Sequence, residues 1–100
     1  MGGPELNLRK KARGAPCLVR IPGVCTHDRE TVVLAHIRRG GVAGAGQKPP
    51  DTCAVLACGA CHDNIDGRTA AAVPDLDSYI LEGLCRTLKW WHDEGLRLKK

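Results

Sequence analysis

The sequence predicts a small α+β domain. Its 100 residues leave room for one hydrophobic core. Two short apolar runs on either side of a Gly/Pro-rich stretch read as a strand pair, and an amphipathic segment follows them toward the C-terminus. Aromatic residues are scarce, being Trp90, Trp91 and Tyr79 with no Phe. A domain of this size buries little more than about 60% of its unfolded surface, so a cross-link or a bound metal is the expected supplement. The six cysteines are the residues that could provide it.

Residues 1–14 read as a flexible basic arm with a short helical turn around Leu6 to Ala12 and little to bury, and residues 15–100 as the folded domain. APCLVRIPGVC, residues 15–25, combines two prolines, a glycine and two cysteines, the composition of a tight turn between short extended segments. TVVLAHIR, residues 31–38, reads as a strand, with Val33, Ala35 and Ile37 on one face and Val32, Leu34, His36 and Arg38 on the other. RGGVAGAGQKPPD is too rich in glycine and proline for regular structure, and loops of that length are usually functional or disordered. TCAVLA, residues 52–57, is a second strand able to pair antiparallel with the first. A short helix follows, with Asp63 and Asp66 in its early turns, and Pro74 ends that stretch. The last segment spaces Ile80, Leu84, Leu88 and Trp91 as one helical face, with Leu81 and Cys85 alongside. Its expected cap is Asp77 or Ser78, and its end is near Gly95.

Cys58-Gly-Ala-Cys61 is a C-x2-C pair, and Cys17 and Cys25 lie upstream in the Pro/Gly turn. Tetrahedral zinc takes four thiolate or imidazole ligands, and two such turns present two each. Cys17, Cys25, Cys58 and Cys61 are therefore the expected set for a structural zinc. In a reducing compartment cysteines hold metals more often than they form disulfides. Cys53 and Cys85 read as core residues. Cys58 to His62 also matches the C-x-x-C-H haem-attachment pattern, but the only methionine is Met1 and no export signal is evident. A thioredoxin-like pair lacks its βαβ setting.

His36 stands at the end of the first strand, before Arg38 and Arg39. His62 and Asp66 fall at i and i+4 on the short helix, which places two divalent-metal ligands on one face; Asp63 is a neighbouring candidate. An imidazole that titrates near neutrality can take a proton from water. A cation such as Mg²⁺ can neutralise charge on a phosphoryl group, and Arg38 and Arg39 can position the phosphate. The set suits phosphodiester hydrolysis. His27 and His92 read as surface or packing residues.

CLVRIPGVC, VLAHIR, the Gly-rich loop ending in KPPD, and ACGACHDNID together resemble the prophage-encoded YbcO family over about residues 8 to 95. More broadly, AHI at a strand end followed by C-x2-C-H at a helix start is similar to the HNH, or His-Me finger, nucleases. The resemblance implies a ββα-metal fold with an additional C-terminal helix and a metal-dependent DNA endonuclease. It gives His36 the role of general base, the four cysteines a structural zinc, and His62 a place on the metal-facing helix. Two positions depart from that pattern. Ala35 stands where HNH enzymes commonly carry an Asp or His ligand. Cys53 stands where they tend to have asparagine, and Asp51 is two residues out of that register.

The net charge of +4 is clustered in Arg9, Lys10, Lys11 and Arg13, in Arg38 and Arg39, and in Lys99 and Lys100, which suits a polyanion. The expected partner is double-stranded or branched DNA, together with phage recombination or replication proteins. No apolar run approaches a membrane span, and a cytoplasmic location is expected. The alternatives are a non-catalytic zinc-stabilised DNA-binding module and an adaptor on the same scaffold.

Overall fold

The computed structural model describes residues 8–38, 49–67 and 73–95. In order they form α1 (Leu8–Ala12), a 3-10 turn (Arg29–Thr31), β1 (Val33–His36), β2 (Ala54–Ala57), α2 (Gly59–Ile65) and α3 (Leu76–Asp93). The order matches the α+β expectation of a strand pair followed by two helices. The residues 39–48 of the Gly-rich loop, Arg39 among them, lie outside the described residues, as do 68–72 and both chain ends.

β1 and β2 pair antiparallel with Val33 opposite Ala57 and His36 opposite Ala54. A two-stranded ribbon is marginal alone, and here its outer edge is covered. The Leu18 N–H donates to the Leu56 carbonyl (2.8 Å), and the Leu56 N–H donates to Thr87 Oγ1 on α3 (3.1 Å). Leu34 and Ala35 are both buried although they lie on opposite faces of β1. Helices therefore cover the ribbon on two sides, and the alternation read along this strand does not divide core from solvent.

Four expectations change. Residues 8–12 are not an unburied arm: Leu8 and Ala12, one turn apart on α1, join the core. Helix α3 starts at Leu76, before the expected caps Asp77 and Ser78. Its buried stripe is Ile80, Gly83, Thr87 and Trp91, whereas Leu81, Leu88 and Cys85 are exposed. Ile80 and Trp91 of the expected face are in the stripe and Leu84 packs half-buried beside it, but Gly83 belongs to it too, because the helix passes close to the backbone at Val19 and a small residue is needed there. Cys53 is half-buried, its thiol directed to the Ile37 carbonyl (3.6 Å), and only in part a core residue. No helix among the described residues is long and apolar enough to cross a membrane.

Candidate active site

The Sγ atoms of Cys17, Cys25, Cys58 and Cys61 all lie within 4.8 Å of one another. The upstream pair is shaped by the turn at Ile21, where Val24 and Cys25 N–H both donate to the Ile21 carbonyl (3.1 and 2.9 Å). Gly23 takes the φ of +76° that the third position of such a Pro-Gly turn requires. The downstream pair begins α2. Cys58 is the N-cap, yet its side chain makes no capping bond. Thr31 Oγ1 reaches across to accept from the Gly59 N–H instead (3.0 Å), which leaves the Cys58 sulfur to the cluster. The His27 N–H donates to Cys25 Sγ (3.3 Å).

The cluster fits a tetrahedral ion. With Zn–S near 2.3 Å, the sulfurs of a tetrahedron stand about 3.8 Å apart, and Cys58 Sγ is 3.9 Å from Cys25 Sγ. Without an ion the four thiols share their protons unevenly. A hydrogen bond from the Cys61 thiol, against the cost of burial, pulls Cys17 down to about 4. The same bond, with burial, raises Cys61. Burial and the neighbouring sulfurs push Cys25 up to about 11. A divalent cation offsets the mutual repulsion of the thiolates and releases the remaining protons. The four cysteines could accordingly hold a metal such as zinc.

A cleft of about 370 Å³ is lined by Arg9, Arg13, Arg38, His36, His62 and Asp66, together with Val32, Val33 and Leu34. Here the structure brings together His36, Arg38, His62 and Asp66 from the set read in the sequence. Asp63, half-buried on α2, is not part of the lining. His62 Nε2 stands 3.1 Å from Asp66 Oδ2, as their i, i+4 spacing predicts. Among the described residues the cysteines are the one group of three or more metal-ligating side chains drawn so close together. The His62–Asp66 pair therefore brings two donors, not a closed cage.

Asp51, read in the sequence only as an out-of-register substitute for the asparagine, and Arg9 also contribute to the site. His36 Nε2 is 2.8 Å from Asp51 Oδ1, and Arg9 Nε donates to the same oxygen (3.3 Å). Asp51 is placed by a turn in which the Cys53 N–H donates to the Pro50 carbonyl (2.8 Å), while the Ile37 N–H donates to the Cys53 carbonyl (2.9 Å). That turn carries Asp51 back across the end of β1, so its distance from an expected register is irrelevant. The hydrogen bond to His36, reinforced by Arg9 against the cost of burial, holds the Asp51 carboxyl below the usual carboxylate range. The signal was the Pro-Pro-Asp sequence immediately ahead of β2. Arg9 and Arg13 were noted only as charges; their interleaving with Leu8 and Ala12 at the same four-residue spacing was the sign of a docked helix.

Comparison with known proteins agrees with the whole architecture. Residues 6–96 match the family described as "Putative nuclease YbcO". The chain is 53% identical over 91 residues, 90% of its length and 95% of the relative's, to proteins of that description from Escherichia coli K12 and from Enterobacteria phage 82. A solved structure, described as a putative bacteriophage protein from E. coli K-12, is similar with a TM-score of 0.71 and 49% identity, covering 87% of this chain and 98% of that one. Matched along nearly its full length in sequence and in fold, the chain belongs to the YbcO family.

Proposed function

We propose that the protein is a metal-dependent DNA endonuclease of the HNH, or His-Me finger, type, in which His36 is the general base and the four cysteines hold a structural zinc. The observation that carries this reading is the cleft itself. A histidine at the end of β1, fixed by a carboxylate, shares one cationic groove with Arg38 and with the His62–Asp66 pair of α2.

Asp51 is an anion at neutral pH, so the proton of its hydrogen bond with His36 resides on Nε2, and Nδ1 carries the lone pair. Nδ1 then accepts a proton from water as the water oxygen bonds to phosphorus and the leaving ester oxygen departs. The imidazolium so formed is stabilised by the Asp51 carboxylate. Arg38 binds the non-bridging phosphate oxygens, for which its planar fork is suited. His62 and Asp66 would hold the catalytic cation. Their donor atoms stand 3.1 Å apart, against about 3 Å between adjacent positions of an octahedral Mg²⁺, an ion that usually takes one or two protein ligands and completes its shell with water and phosphate. When bound, that cation supplies charge neutralisation at the phosphate.

A second reading rests on Ala35. It is fully buried and offers a methyl group where HNH enzymes commonly carry a ligand, which favours a DNA-binding module without turnover. Cleavage of supercoiled plasmid and branched DNA by zinc-loaded protein, with Mg²⁺, with Mn²⁺ and without either, separates the two. The nuclease reading expects nicking that needs the added ion and falls by about 10²–10⁴-fold in His36→Ala. Undiminished cleavage by that variant refutes His36 as base. DNA binding with no cleavage under any condition selects the second reading.

A further inference from the structure

Helix α1 and the turn residue that follows it supply two of the three arginines of the cleft, Arg9 and Arg13. Its residues alternate in a definite way. Leu8 and Ala12 are buried at 3% and 0% exposure, which seats the helix in the core beside β1. Arg9, on α1, follows Leu8 by one residue, and Arg13, whose N–H donates to the Lys10 carbonyl (3.3 Å) in the turn that ends the helix, follows Ala12; both line the groove that holds His36 and Arg38.

Arg9 is also tied to the base. Its Nε donates to Asp51 Oδ1, the oxygen that faces His36 Nε2. The Arg9 side chain is 57% exposed, and an ion pair this open to solvent is worth only about 0–1 kcal/mol, so it does not hold the guanidinium away from another anion. The Nε contact uses one of the five N–H donors of the group. Three arginines against the Asp66 carboxylate make the lining cationic, and a groove of that sign concentrates polyanions.

We infer that Arg9 and Arg13, on α1 and in the turn that ends it, form a phosphate-binding site that grips the backbone of duplex nucleic acid beside the His36 centre. The inference rests on the nuclease reading for its substrate class and adds to it the element that holds the strand. Because α1 is docked through Leu8 and Ala12, the two arginines are presented from a fixed surface. They contact phosphates, so they contribute affinity and register without base preference.

The test is the salt dependence of binding of zinc-loaded protein to a short DNA duplex in Mg²⁺-free buffer. The variants are Arg9→Ala, Arg13→Ala, the double substitution and the corresponding lysine substitutions, with Lys89→Ala as the charge control. Lys89 is exposed on α3, pairs with Asp93 (2.6 Å) and lies outside the cleft lining. The slope of log affinity against log salt should fall by about 0.9 for each arginine lost and by about 1.8 in the double variant. It should hold in Lys89→Ala and return in the lysine variants. Duplex binding by wild type with slopes unchanged in the alanine variants overturns the α1 site and leaves the nuclease reading standing, as does weaker binding at an unchanged slope, which marks a merely structural role. Absence of duplex binding by wild type at any salt overturns both.

Discussion

Gly83→Ala should destabilise the protein although it improves the helix propensity of α3. Alanine in place of glycine in a helix interior gains about 1 kcal/mol. A methyl group at position 83, however, would stand 2.8 Å from Val19 Cγ2, 3.0 Å from Val19 Cα and 3.4 Å from the Leu18 carbonyl oxygen. Carbon atoms attract best at about 3.5–4.0 Å, so α3 and the Leu18–Val19 segment must separate by several tenths of an ångström or more. Val19 is fully buried, and the Leu18 N–H is committed to the Leu56 carbonyl; neither can yield without disturbing the ribbon or the Cys17 turn. Overpacking of this kind costs about 1–3 kcal/mol. The net loss, about 1 kcal/mol, lowers Tm by about 4–8 °C for a domain of this length. Thermal unfolding of the zinc-loaded protein followed by circular dichroism measures it. In a Val19→Ala background the Cγ2 contact is gone, and Gly83→Ala should then cost less. A Tm above wild type for Gly83→Ala alone would mean that propensity prevails and that the close approach of α3 to Val19 is wrong.

Thr87→Val should cost about 1–3 kcal/mol in equilibrium unfolding, because it leaves the buried Leu56 N–H without its acceptor; Thr87→Ser should recover most of this. Removing the metal with a chelator, or substituting Cys61→Ser, should lower Tm and loosen the turn at Ile21 together with the start of α2, whereas Cys85→Ser, at an exposed position, should leave Tm and metal content unchanged. Asp51 titrates below the usual carboxylate value in the folded protein. Its contribution is therefore present above the unfolded value of about 3.9 and is lost as pH falls through the lower folded value. The stability difference between wild type and Asp51→Asn should be constant at neutral pH and vanish in acid; a difference that grows as the pH falls would reverse the assignment.

The cysteine set was legible because its evidence is local. Pro22 and Gly23 favour a turn, and the C-x2-C spacing at a helix start sets two thiols side by side. The His62–Asp66 pair was legible for the same reason, since one helical turn brings the two side chains together whatever the rest of the chain does. The first strand could be read from its β-branched composition and the second as a short apolar run, and their pairing followed from the intervening loop.

Asp51 and the arginines of α1 and its closing turn were not readable in that way. Asp51 stands 15 positions after His36, and only the hydrogen bonds of the Pro50–Cys53 turn decide that the carboxylate crosses the end of β1. Arg9 reaches the same oxygen across 42 residues, after the burial of Leu8 and Ala12 has fixed the helix. Hydrophobic spacing finds Ile80, Leu84 and Trp91 on the inner side of α3 but not Gly83 and Thr87, which face inward, one to admit Val19 and the other to satisfy Leu56, while Leu81 and Leu88 face out. Turn chemistry and helical spacing act within a few residues and are written in the sequence, while the meeting of His36, Asp51 and Arg9 depends on packing between distant segments, which exists only once the chain has folded.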